Sequence, residues 1–181
     1  MQMTNPARSV IEASSRSRVE AGLVIADSAL RLRLTEPDAL ASMFARMERW
    51  PHTQKVRLVV RLADGRSASA GESRSRYLFW TQGLPAPTLQ FHVYDRHGKL
   101  VGITDFAWPE QSLLGEFDGR VKYGRLLRPG QSPGDVVFDE KIREDRLREI
   151  TRWGMVRLVW RDHDRPAETA ARVRRLMRQA A

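Results

Sequence analysis

The chain reads as a mixed α/β protein, a sheet covered by helices, on three observations. Apolar residues recur at helical spacing from about residue 17 to 65. Alternating, β-branched and aromatic segments then follow one another from about residue 84 to 119. A charged helical stretch, one more Val/Leu/Trp strand and a basic helix close the sequence. The order helix, three strands, helix, strand, helix from Gly71 onward is that of a layered α/β domain rather than a bundle or a sandwich.

Taken in order, "SRVEAGLVIADSALRLRL" sets Val19, Leu23, Ala26 and Leu30 on one helical stripe that Leu34 continues. "TEPDALASMFARMERW" starts with Thr35 as an N-cap and Pro37 near the first turn, and Leu40, Met43, Phe44 and Met47 form its stripe. "TQKVRLVVRLADG" is read as a third helix, although Val56, Leu58 and Val60 also fit strand alternation. The small, polar run "GRSASAGES" (65–73) marks a boundary, giving a helical N-terminal segment over 1–66 and an α/β domain over 67–181. A helix in "GESRSRYLFWTQG" ends at Gly83. The hairpin that follows turns at "DRHGK", and "SLLGEFDG" supplies a third strand. "YGRLLRPGQSPGD" is a long Gly/Pro loop, a common place for a binding segment. "VVFDEKIREDRLREITRW" is a charged helix, "GMVRLVW" a strand and "RPAETAARVRRLMRQ" a basic helix.

Composition narrows the class of function. No apolar run reaches the roughly 18 residues of a membrane span, and "MQMTNPARSV" lacks the apolar core of a secretory signal, so a cytoplasmic, non-membrane protein is expected. The chain has no cysteine, which removes disulfides and thiolate metal sites. Its 31 Lys+Arg against 22 Asp+Glu give a formal charge of +9, and only Lys55, Lys99, Lys122 and Lys141 are lysines. Such an Arg excess favours polyanions, because guanidinium groups bind phosphates in two-pronged fashion and release counterions. DNA is the expected partner.

The segment "ITDFAWPEQSLLGEFDG" (103–119) sets Asp105, Glu116 and Asp118 among residues that strands bury. Glu116 and Asp118 are two apart and share a face. An unpaired buried carboxylate costs several kcal/mol, so these acids require a metal, arginine partners or an exposed edge. With no Cys and four scattered His, a hard ion such as Mg²⁺ or Mn²⁺ is the metal to expect. Glu72, opening its helix, and Lys122, in "EFDGRVKYG", could join the same site.

A helix acid, an Asp, about ten residues and then Glu-x-(acid or Lys) on a central hairpin resembles the PD-(D/E)xK nuclease superfamily. More closely, "GESRSRYLFWTQGLPAPTLQFHV", "TDFAWPEQSLLGEFDGRVKYGR" and "FDEKIREDRLREITRWGMVRLVW" look like the very-short-patch-repair endonuclease-like domain. That domain commonly forms the C-terminal half of actinobacterial proteins related to the abortive-infection antitoxins of type IV toxin–antitoxin systems. The likeness is detailed over about 67–162 and weaker upstream through "NPARSVIEASS". It implies a restriction-endonuclease-like mixed sheet flanked by helices. Glu72, Asp105 and Glu116 would bind Mg²⁺ or Mn²⁺, which would lower the pKa of a water and stabilise the transition state. Asp118 stands where the superfamily often has its Lys. Lys122 lies where related domains often carry His, as a displaced base or charge stabiliser. Lys141, Arg143 and Asp145 match a helix bordering the site, and Arg125, Arg128, Lys141 and Arg143 are the expected DNA contacts.

The pattern departs from the superfamily in lacking its lysine at the usual spacing, and from the relatives in lacking their opening winged-helix region, which would fit a shortened relative. Two functions are therefore expected in competition. One is a metal-dependent DNA endonuclease. The other is an inactive DNA- or protein-binding module whose acids are bonded to Arg143 or its neighbours, with a toxin or a second copy as possible protein partner. His52, His92, His97 and His163 show no metal spacing and are expected at the surface or in turns, while Trp80, Trp108, Trp153 and Trp160 are expected in the core. There is no Gly-x-Ser-x-Gly elbow and no phosphate-binding Gly loop.

Overall fold

A computed structural model of the chain describes residues 5–119 and 133–180. The chain divides into two compact units, Met1–Tyr77 and Leu78–Ala181. Helices α1 (Pro6–Arg16), α2 (Val19–Arg31), α3 (Pro37–Met47) and α4 (Val56–Leu62) belong to the first, and α5 (Ala70–Thr81) runs across the division. The second unit holds strands β1 (Thr88–Tyr94), β2 (Leu100–Trp108), β3 (Leu113–Asp118) and β4 (Gly154–Val159), with helices α6 (Pro133–Thr151) and α7 (Pro166–Ala180). The α/β class follows, with one four-stranded sheet in the order β1-β2-β3-β4.

In the first unit α1 was not foreseen as a helix. Asn5 caps it by accepting from the Arg8 N–H at 3.3 Å, Pro6 occupies its first turn, and Ala7, Val10, Ile11 and Ser14 form its buried stripe. Within the 53–65 segment only Val56–Leu62 is helical, as α4, with Val56 and Val59 buried; it stops at Leu62, short of the expected end at Gly65. Two expectations fail at the α2–α3 junction. Helix α2 ends at Arg31, so Leu34 falls outside the stripe and is 57% exposed. The N-cap of α3 is Glu36, with no side-chain cap bond, because Pro37 already supplies a first-turn residue without an N–H. Among the ion pairs of this unit, that of Asp27 with Arg76 is the buried one. Asp27, 1% exposed, accepts from Arg76 at 2.7 Å and from the Asp64 N–H at 2.8 Å. Arg76 also donates to the Leu62 carbonyl and, at 3.2 Å, to Ser67 Oγ.

In the second unit the β1–β2 turn is built as its sequence requires. Gly98 adopts φ 75°, and the Asp95 carboxylate accepts from the His97 and Lys99 N–H groups at 2.8 and 3.0 Å. Those bonds, Lys99 foremost, hold the Asp95 carboxyl below its ordinary value. β1–β2 and β2–β3 are antiparallel, whereas β4 runs parallel to β3 and so requires a crossover, which α6 provides. Alternation sends Phe106, Trp108, Leu113, Phe117, Val156 and Leu158 to one core with Phe79 of α5 and Val173 and Met177 of α7. Ala107, Leu114 and Met155 face the other way, onto Leu147 of α6. Phe79 meets Phe106 and Trp108 edge-on at 5.3 and 5.1 Å.

Of the four tryptophans expected in the core, Trp108 is there, 2% exposed, and Trp153 is half-buried and stacked on Phe91. Trp80 and Trp160 are exposed: Trp80 lies on the outer side of α5, and Trp160 covers Phe117 edge-on from the end of β4. His52, His92 and His97 are exposed, whereas His163 is half-buried and stacked on Phe117.

Gly115 lets the middle of the sheet close. A Cβ there would lie 3.2 Å from Phe106 Cβ and 3.3 Å from both Trp108 Cζ3 and Val156 Cγ1. Gly115→Ala is therefore expected to destabilise the second unit by about 1 kcal/mol through overpacking, read as a lower denaturant midpoint.

Candidate functional site

Asp105, Glu116 and Asp118 gather on the α6 side of the sheet, while Glu110 is exposed in the turn between β2 and β3. Ala107, Leu114 and Met155 make that face apolar beneath Leu147. Glu116 and Asp118 continue it on β3, as Arg157 does on β4, where Glu116 and Arg157 are direct cross-strand partners. One end of the face is thus greasy and the other charged, and α6 spans both. Helical spacing brings Leu147 onto the first and Arg143 and Glu144, one turn earlier, onto the second.

Glu116 and Asp105 have close partners, and Asp118 a more distant one. Glu116 accepts from Arg143 at 2.7 Å, with the carboxylate side chain 9% exposed and the guanidinium 40%. Arg143 also donates to the Ile103 carbonyl at 3.3 Å, tying α6 to β2. Arg157 lies 2.7 Å from Glu144 and 3.9 Å from Asp118, and Glu144 is shared with Arg148 at 2.7 Å. The backbone register of β2 and β3 ends at Phe106–Gly115. One step beyond, the Asp105 carboxylate accepts the Phe117 N–H at 2.8 Å and prolongs the ladder with a side chain. Arg143, Arg157, Arg148 and backbone groups therefore neutralise or satisfy a row of carboxylates.

Glu72 has a local task in the first unit. It caps the start of α5 in a variant of the capping box: the Ser69 hydroxyl accepts the Glu72 N–H at 3.2 Å, while the Glu72 carboxylate reaches back to accept from the Ala68 N–H and the Ser69 hydroxyl, each at 2.8 Å. Glu72→Ala is expected to lower stability by about 1 kcal/mol, by equilibrium unfolding, with Glu72→Gln recovering part of it.

Among the described residues no group of three or more His, Asp or Glu is placed to hold a metal ion. Asp105 and Glu116 lie on neighbouring strands, but Arg143 occupies Glu116 in the geometry a cation would need. As arranged among the described residues, the donor set does not fit Mg²⁺ or Mn²⁺. Lys141 and Asp145 are exposed on the outer side of α6. Lys122, Arg125 and Arg128, with most of the Gly/Pro loop, lie outside the described residues. Arg157 and Glu144 were not singled out from the sequence. Their signals were present: Arg157 is the charged position in an otherwise apolar strand, and Glu144 precedes Arg148 by one helical turn.

The chain is similar to two curated proteins, the uncharacterized protein Rv2248 of Mycobacterium tuberculosis (strain ATCC 25618 / H37Rv) and the uncharacterized protein MT2308 of Mycobacterium tuberculosis (strain CDC 1551 / Oshkosh), each 29% identical over 178 residues. The matches cover 98% of this chain but 62% of the length of those relatives. No family model matches the chain, and no solved structure matches it. Among the described residues no helix is long and apolar enough to cross a membrane.

Proposed function

We propose that the chain is a DNA-contacting module of the antitoxin-regulator kind, built on an endonuclease-like scaffold whose sheet acids hold the fold rather than a metal. The observation that carries this reading is the 2.7 Å pair between Arg143 and the nearly buried Glu116. A carboxylate committed to a guanidinium has its charge already neutralised, and the pair ties α6 to β3. The +9 charge, almost all of it arginine, supports a phosphate-rich partner.

Phosphodiester hydrolysis is the competing reading, favoured by the placement of Asp105 and Glu116 on adjacent strands. Gel shift with duplex DNA over a salt series, paired with plasmid nicking in Mg²⁺ or Mn²⁺, separates the two. Binding that falls steeply with salt, without nicking, is expected. Nicking abolished by both Asp105→Ala and Glu116→Ala would overturn the proposal in favour of the hydrolase. Absent or salt-insensitive binding would overturn it in favour of a protein partner.

A further inference from the structure

The last thirty residues of the chain carry a basic surface away from the sheet acids. Between Trp160 and Ala180 there are six arginines and three acids, and beyond Glu168 there is no acid at all. α7 is sharply two-sided. Ala170, Val173 and Met177 are buried in the core, while Glu168, Ala171, Arg174, Arg175 and Arg178 face outward. Along the axis Arg175 and Arg178 stand about 4.5 Å apart, and Arg174 and Arg178 about 6 Å.

Of the three acids near this face, Asp162 and Glu168 are engaged, while the exposed Asp164 leaves one negative charge beside it. Asp162 accepts from Arg172 at 3.0 Å and from the Val159 N–H at 2.8 Å, and Glu168 lies 3.6 Å from Arg165. Among the described residues no carboxylate lies within ion-pairing distance of Arg161, Arg175 or Arg178. Arg161, Arg165, Arg172 and Arg175 line one groove of about 710 Å³ at the start of α7 together with the same three acids and Thr169. Its lining is therefore basic by one charge, four against three, and Arg175 and Arg178 extend that excess along the helix.

We infer that this face, formed by Arg161, Arg175 and Arg178 with the groove beside them, seats the phosphate backbone of duplex DNA. The inference rests on the DNA-contacting reading above and adds its surface. Arginine's planar fork suits phosphate oxygens. An anionic bilayer is the weaker candidate, because a helix that lies in a membrane inserts its apolar side, and here that side is buried under the sheet. The contact carries affinity and register but no sequence information, since guanidinium–phosphate pairs do not read bases.

The test measures duplex binding against salt for wild type, for Arg161→Ala/Arg175→Ala/Arg178→Ala, and for a control with the same charge change in the first unit, Arg31→Ala/Arg33→Ala/Arg46→Ala. Circular dichroism verifies that each variant is folded. The expected result is a slope of log K against log salt reduced by about 3 in the first variant and nearly unchanged in the control. Equal slopes in wild type and the first variant, or an equal reduction in the control, would overturn the inference while leaving DNA binding intact. Wild type that does not bind DNA would remove the underlying reading instead. Binding to phosphatidylserine vesicles lost in the same variant, with no duplex binding, would assign the face to a lipid surface and overturn it too.

Discussion

Arg76→Ala is expected to cost about 3–5 kcal/mol of stability, because it strands Asp27, 1% exposed, without its counter-charge. The arginine is itself only 14% exposed, so water cannot replace it, and the Leu62 carbonyl and Ser67 hydroxyl lose a donor as well. The double variant Asp27→Asn/Arg76→Met removes both charges and is expected to recover much of the loss. The effect depends on pH. Burial pushes the Asp27 carboxyl above its ordinary value, and Arg76 and the Asp64 N–H pull it partly back. A carboxyl raised in the folded state binds its proton more tightly there than in the unfolded chain, so its contribution to stability falls as pH rises from the ordinary carboxylate range through the raised value. Removing Arg76 raises it further. The variant is therefore expected to lose more stability at neutral pH than in mild acid, measured by urea denaturation at several pH values.

Arg143→Ala is expected to cost about 2 kcal/mol, less than a fully buried pair because its guanidinium is partly solvated. The loss has two parts: Glu116 is left nearly buried without a cation, and α6 gives up its bond to the Ile103 carbonyl. Glu116→Gln in the Arg143→Ala background should restore part of the stability, since a neutral amide needs no counter-charge. A simple solvated surface pair would give no such rescue. Urea unfolding of the four proteins of this cycle isolates the coupling.

Much of the fold was legible because it is written locally. The "DRHGK" turn has Asp95 and Gly98 where the backbone needs them, and strand alternation from Leu113 to Asp118 maps directly onto two sheet faces. Helix α1 was equally local, with its Asn-Pro start and buried Ala7, Val10, Ile11 and Ser14, and was passed over. Leu34 misled because a periodic apolar residue one turn too far says nothing about where the helix stops. The site was half legible. That Glu116 and Asp118 share a face follows from a period of two, but nothing local selects their partners. Arg143 is 27 residues from Glu116, and among so many arginines only the crossover of α6 over β3 decides the pairing. Glu72 is the reverse case: its Ser-x-x-Glu spacing is a local capping signal that needs no tertiary information to read.

The most direct test of whether the sheet acids serve the fold is thermal unfolding of wild type and Glu116→Gln with and without millimolar Mn²⁺. Bonded to Arg143, Glu116 should make the variant melt lower than wild type, and the metal should move neither midpoint. A saturable, metal-dependent rise in the wild-type midpoint that Glu116→Gln lacks would mean that this carboxylate leaves its arginine for a cation, and would contradict the account.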